Sequence, residues 1–162
     1  MASTLTASTM TVSISESITL NGKNQGGSTT LSIASIKDIY KRIVTIAADD
    51  DATVAVFKST TASSDSAFDK ENVKYIRITN LDDTNSLNIS LQLDSGEDNS
   101  AADLSVTHLV QAGRSFIMGT VDEAVHADDD AATIVTALTD LESIIVDPGS
   151  NAGTVEIFIA SV

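Results

Sequence analysis

Period-two alternation constrains this chain more than any other feature. Leu87, Ile89, Leu91 and Leu93 fall on one side of a segment whose other side is Asn88, Ser90 and Gln92, the signature of a strand with one buried face. Residues 10–20 repeat the pattern: Met10, Val12, Ile14, Ile18 and Leu20 alternate with Thr11, Ser13, Ser15, Ser17 and Thr19, with Glu16 as the exception. Further strands are expected at 29–36, 39–47, 53–58, 73–81, 104–111, 114–118, 141–147 and 154–161. Between them lie turn residues: Asp49-Asp50-Asp51, Asp82-Asp83-Thr84-Asn85, Ala112-Gly113 and Pro148-Gly149-Ser150-Asn151. Hairpins are expected at Asp49-Asp50-Asp51 and, between 73–81 and 86–93, around Asp82-Asp83-Thr84-Asn85; the other two turns join 104–111 to 114–118 and 141–147 to 154–161. Only 121–140 breaks the grammar, because Ile134, Val135, Leu138 and Leu141 have helical spacing; one short helix is expected there.

The fold class that follows is all-β, an antiparallel β-sandwich with at most one short helix. Aromatic residues make up 4% of the chain and Trp is absent, so the core must be built from Val, Ile, Leu and Ala. Ser and Thr form about a quarter of the residues, which suits solvated strand faces. At 162 residues the length fits one domain, here 10–162, preceded by a flexible N-terminal arm over 1–9 that lacks periodicity. Asn21 through Ser28 carries three glycines and reads as a loop, and 59–72 as a polar linker.

The net charge of −14 argues against nucleic acid as a partner and against a membrane surface, since both require a positive footprint. All nine Lys and Arg lie within residues 1–114, and residues 115–162 hold nine acids with no Lys or Arg. Six of the cations, Lys37, Lys41, Arg42, Lys70, Lys74 and Arg77, fall in two groups that adjacent strands can unite into a docking patch for an acidic partner; ordinary exposed charge is the plainer alternative. Without cysteine there is no disulfide, thiolate metal site or thiol nucleophile. The first residues show neither a basic region nor a signal-length apolar run, so a soluble chain made in a cytoplasm is expected.

Nothing in the inventory points to an enzyme. His108 and His126 lack metal-type spacing, and Gly113-Arg114-Ser115-Phe116 lacks the closing glycine of a nucleophile elbow. The acidic stretches 94–103 and Asp128-Asp129-Asp130 offer oxygens for calcium but do not follow the ligand order of an EF-hand. Asn88-Ile89-Ser90 matches a glycosylation acceptor but lies inside a strand. No cofactor and no catalytic or metal residue is expected.

Three segments carry a resemblance. Tyr75 through Asn80 (YIRITN), Gly113 through Gly119 (GRSFIMG) and Val155 through Ser161 (VEIFIAS) resemble small all-β virion proteins of tailed bacteriophages. The resemblance covers roughly the C-terminal half, and its motifs are structural, so no functional residue carries over. It implies a jelly-roll-like sandwich that serves as a capsid decoration or cement protein, made in the host cytoplasm and residing in the virion. Such a protein is multi-copy on the head lattice or a homo-oligomer, with the major capsid protein or another virion protein as partner. A tail, neck or fibre-associated virion protein fits the same features. A carbohydrate-binding or adhesin module is the reading from another class, and it would call for exposed aromatic platforms.

Overall fold

A computed structural model describes residues 6–59, 67–93, 104–127 and 137–162. The chain forms two compact units, Met1–Asp38 together with Val162, and Ile39–Ser161.

The first unit is a two-stranded ribbon. Strand β1 (Ser8–Ser15) pairs antiparallel with β4 (Ser28–Ile36), so that Met10 lies opposite Ile33 and Val12 opposite Leu31. The register slips between Ser8 and Met10, where β4 has an extra residue; Ser35 absorbs it with a φ of 64°. Between them β2 (Thr19–Leu20) and β3 (Lys23–Asn24) close a small hairpin around Asn21 and Gly22, both at positive φ, the geometry of a type I′ turn. The strand expected over 10–20 is therefore two strands parted at Glu16, whose N–H bonds the Gly27 carbonyl at 2.8 Å. Of the arm expected over 1–9, residues 1–5 lie outside the described residues, and Ser8 and Thr9 already belong to β1.

The second unit is a β-sandwich. Its strands are β5 (Asp38–Ile46, beginning one residue before the unit does), β6 (Ala52–Lys58), β7 (Phe68–Asp69), β8 (Val73–Asn80), β9 (Leu87–Leu93), β10 (Leu104–Val110), β11 (Ser115–Met118), β12 (Leu141–Asp147) and β13 (Gly153–Ser161). One sheet has the order β10-β9-β12-β6-β7 and the other β11-β8-β13-β5. The pairs β10–β9, β9–β12, β12–β6, β11–β8 and β8–β13 are antiparallel, and the short β7 runs parallel to β6. A single apolar core draws on both sheets. Ile76, Ile78, Ile157 and Ile159 come from one, and Ile89, Leu91, Leu93, Ile144 and Val146 from the other. Phe57 is the one ring among its buried members, as the aromatic-poor composition requires.

The expected hairpins are corrected by the topology. β5 and β6 lie in different sheets, and so do β8 and β9, β10 and β11, and β12 and β13. Each of the four turns is an arch that carries the chain over the rim of the sandwich. Alternation fixes which face of a strand is buried, and an arch preserves that face as well as a hairpin does, so the pattern cannot tell them apart. What distinguishes the arches is where their backbone groups bond. Asp49 N–H reaches Gly149 O at 2.8 Å, Leu81 N–H reaches Thr154 O at 2.9 Å, and Gly113 N–H reaches Asp82 O at 3.1 Å. Two of these bonds join neighbouring arches, and Leu81 extends the β8–β13 pairing past Asn80. Asp49, Gly113 and Gly149 all take positive φ to make the reversals. Among the described residues of the sandwich, consecutive strands pair antiparallel at β9–β10, from Leu93 opposite Leu104 to Leu87 opposite Val110, and parallel at β6–β7, where Phe57 lies opposite Phe68.

The helix expected within 121–140 falls largely on 128–136, outside the described residues, as do the acidic stretches 94–103 and Asp128-Asp129-Asp130. On either side of that segment, Val125 and Thr139 form an antiparallel bridge, and Leu141 N–H bonds Val121 O at 2.8 Å.

Candidate docking surface

Strand parity and register define the outward face of the β11-β8-β13-β5 sheet. Ile76, Ile78, Ile157 and Ile159 point into the core, so Tyr75, Arg77 and Thr79 on β8 and Glu156 and Phe158 on β13 stand outward. Across the β8–β11 pair, Ile117 lies opposite Arg77 and Ser115 opposite Thr79, where the two hydroxyls bond at 2.8 Å. On β5, Tyr40 and Val44 pack against the core, leaving Ile39, Lys41, Ile43 and Thr45 outward; Thr45 bonds Thr154 at 3.2 Å.

At the centre of this face Glu156 accepts from two cations. Lys41 Nζ lies 2.9 Å from Oε2 and Arg77 Nη2 lies 2.6 Å from Oε1. The Lys41 hydrogen bond first, and then that of Arg77, hold the Glu156 carboxyl below its ordinary value of 4.5. Arg77 also donates to Thr79 Oγ1, and its guanidinium carbon sits 5.9 Å from the centroid of Phe158. Tyr75 meets the same ring edge-on at 6.1 Å. The guanidinium is thus fixed on three sides, and the face presents Lys41, Arg77 and Glu156 among Ile39, Ile43 and Ile117, which are 51%, 58% and 44% exposed. Two cations against one carboxylate leave this face with a charge of +1, in a chain whose total is −14.

The structure brings together two of the six cations singled out from the sequence, Lys41 and Arg77. Lys70 pairs instead with Asp140, which raises the lysine, while Asp140 also accepts the Glu123 N–H at 2.8 Å. Burial alone pushes the Asp140 carboxyl upward, but those two donors outweigh it and hold it below its ordinary value. Lys74 Nζ donates to the Glu71 carbonyl at 2.7 Å. Arg42 is exposed on the strand side opposite to Lys41, and Lys37 occupies the single-residue step between β4 and β5. Sequence reasoning missed Glu156, the acid that joins the pair. Its signal was an acid at an outward position of VEIFIAS, in a strand otherwise almost wholly apolar.

A second residue missed is Asn80, buried with no exposed area at an inward position in line with Ile76 and Ile78. Its Nδ2 donates to the carbonyls of Asn85 at 2.8 Å and Val110 at 3.1 Å, its Oδ1 accepts Asp82 N–H at 3.0 Å, and its own N–H reaches Arg114 O at 2.9 Å. One amide therefore pins two arches and the end of β10. Asp82 continues the knot, accepting N–H groups of Asn85 and Thr84, each at 2.8 Å. Those bonds, Asn85 first, hold its carboxyl below the usual range.

The histidines stand apart. His108 lies against Phe116, centroids 5.4 Å apart, and His126 Nδ1 is 3.3 Å from Thr139 Oγ1. Among the described residues no three His, Asp or Glu side chains converge on a common point, and no helix is long and apolar enough to cross a membrane.

No family model matches the chain, and no curated protein matches it. Among solved structures it is similar to a chain from Bacillus endospore appendages, described as a novel family of disulfide-linked pili. Identity is 12%, coverage is 76% of this chain and 88% of that one, and the TM-score is 0.36. At that score the likeness carries neither fold nor function across.

Proposed function

We propose that this protein is a bacteriophage virion structural protein, a capsid decoration or cement protein of jelly-roll-like build that binds the outer head shell and stabilises it. The observation that carries the reading is the outward face of the β11-β8-β13-β5 sheet. In a strongly acidic chain it alternates exposed isoleucines with a guanidinium already fixed by Glu156, Thr79 and Phe158. Ring, guanidinium and aliphatic groups on a rigid sheet are the composition of a protein-binding patch, and a pre-positioned Arg loses little entropy on docking. The resemblance of YIRITN, GRSFIMG and VEIFIAS to small phage virion proteins supplies the context: the first and last of these strands build this face, and the second supplies Ile117. Stabilisation works by mass action, since a protein that binds the assembled shell but not its dissociated parts raises the shell's stability.

Quantitative mass spectrometry of purified particles tests the reading. A copy number near that of the major capsid protein, or a lattice-compatible fraction of it, is the expected result. A few copies per particle would move the protein to the tail or neck, and absence from particles would overturn the proposal. Arg77→Glu in the full chain is expected to abolish attachment while the protein remains folded.

A further inference from the structure

The β1–β4 ribbon has one apolar face, half-buried at Met10, Val12 and Ile33 and exposed at Ile14 and Leu31. Met10, Val12 and Ile14 on β1 share a side with Ile33 and Leu31 on β4, with Met10 opposite Ile33 and Val12 opposite Leu31, whereas Ser13 and Thr30 meet on the other side through their hydroxyls at 3.5 Å. Ile14 is 49% exposed and Leu31 52%, and Ile18 and Leu20 just beyond are exposed as well. A two-stranded ribbon is marginal by itself, and one with an uncovered row of branched side chains gains most from a surface that covers it.

Charge decides which surface. Residues 6–36 contain one acid, Glu16, and one base, Lys23, so they sum to zero and the whole −14 falls on the rest of the chain. Two copies repel wherever their acidic surfaces approach. They can meet without that repulsion at the ribbon, and what meets it there is itself neutral, extended and periodic at two residues. A highly charged partner would gain nothing at this face. We infer that the ribbon is an interface between two copies of this chain, packed face to face across a two-fold axis near the Val12–Leu31 pair, with Ser and Thr outward on both sides. The apolar rows then form the inside of a small two-layer sheet, at the usual spacing of about 10 Å. The eight residues of β1 span about 27 Å, a contact smaller than the ~800 Å² per partner of standard interfaces, so pairing depends on concentration. It stands apart from the virion reading: the ribbon can pair whether or not the sandwich docks on a shell.

Because the chain has no cysteine, one introduced thiol reports one contact. The test places Val12→Cys and, separately, Ser13→Cys in the full chain and treats each with a bis-maleimide of about 10 Å reach, the layer spacing expected, to which one thiol from each copy adds. Covalent dimer is expected from Val12→Cys and not from Ser13→Cys. Equal yields from both, or none from Val12→Cys at high protein concentration, would overturn the inference. Leu31→Asp is the second arm. It is expected to weaken self-association about tenfold or more in sedimentation equilibrium while the sandwich melts at its usual temperature. Unchanged association with an unchanged melt would also overturn it. Absence of the protein from purified particles, with the cross-link formed as expected, would count against the virion reading alone.

Discussion

The sandwich and the ribbon are both antiparallel β-structure with the same alternation, yet one hides its apolar face and the other shows it. In the sandwich, Ile78, Ile89, Ile144 and Ile157 have no exposed area, while in the ribbon Ile14 and Leu31 keep about half of theirs. Sequence pattern therefore specifies a face without specifying what covers it. A second layer, or a second molecule, has to supply that.

Substitution should separate the two regions sharply. Ile157→Ala, between Val155 and Ile159 in the core, is expected to cost about 3–5 kcal/mol by denaturant unfolding, through lost burial and a cavity. The comparison would fail if Leu31→Ala in monomeric protein cost as much, since that residue is expected to matter by no more than about 0.5 kcal/mol. Asn80→Ala comes next, at about 3 kcal/mol, because it strands two buried carbonyls and the Asp82 N–H at the rim; a near-neutral result would mean that the arches hold without it. Gly153→Ala should cost about 1–3 kcal/mol, since an added Cβ would stand 2.8 Å from Cβ of the rigid Pro148 ring. Gly119→Ala, with open space at that position, serves as the neutral control.

The smallest expected effect is electrostatic. Glu156 is held below 4.5 by Lys41 and then Arg77, so its contribution is complete above the unfolded value and is lost as pH falls through the folded one. In Glu156→Gln that part of the acid loss should be missing, leaving a shallower fall in melting temperature below about pH 4.5. An identical pH profile would remove the pair from the stability account. Hydrogen exchange sharpens the contrast without mutation: amides of β8, β9, β12 and β13 should exchange slowest, and those of β1 and β4 fastest among the strands.

Much of this architecture was legible in the residues. Strands expected at 29–36, 39–47 and 53–58 run at Ser28–Ile36, Asp38–Ile46 and Ala52–Lys58, because β-branched alternation and acidic or glycine-rich breaks mark their ends directly. Pairing was not legible. Asp82-Asp83-Thr84-Asn85 and Pro148-Gly149-Ser150-Asn151 announce a reversal, and a reversal leads equally well to the same sheet or to the opposite one. Of the docking patch, Lys41 and Arg77 do come together, but across a strand from the far end of the chain, and only topology could supply Glu156 between them. Asn80 was within reach: past Lys74 at the start of β8, it is the polar side chain in step with Ile76 and Ile78, and a polar group at an inward position needs several partners.

The four arches also govern how the molecule comes into being. Strand β13, Gly153–Ser161, lies between β8 and β5 in its sheet, so until residue 161 has been synthesised β5 has no neighbour there, and β11 and β8 stand as a separate pair. Nor does any arch leave a local hairpin for a growing chain to rest on. Folding of the sandwich must then wait until β13 has emerged from the ribosome and proceed in one late cooperative step, slowly for its length, because most strands seek a partner far away in sequence. Once closed, the chain is laced from layer to layer, and a protease nick in a single exposed loop would leave two fragments that stay interlocked.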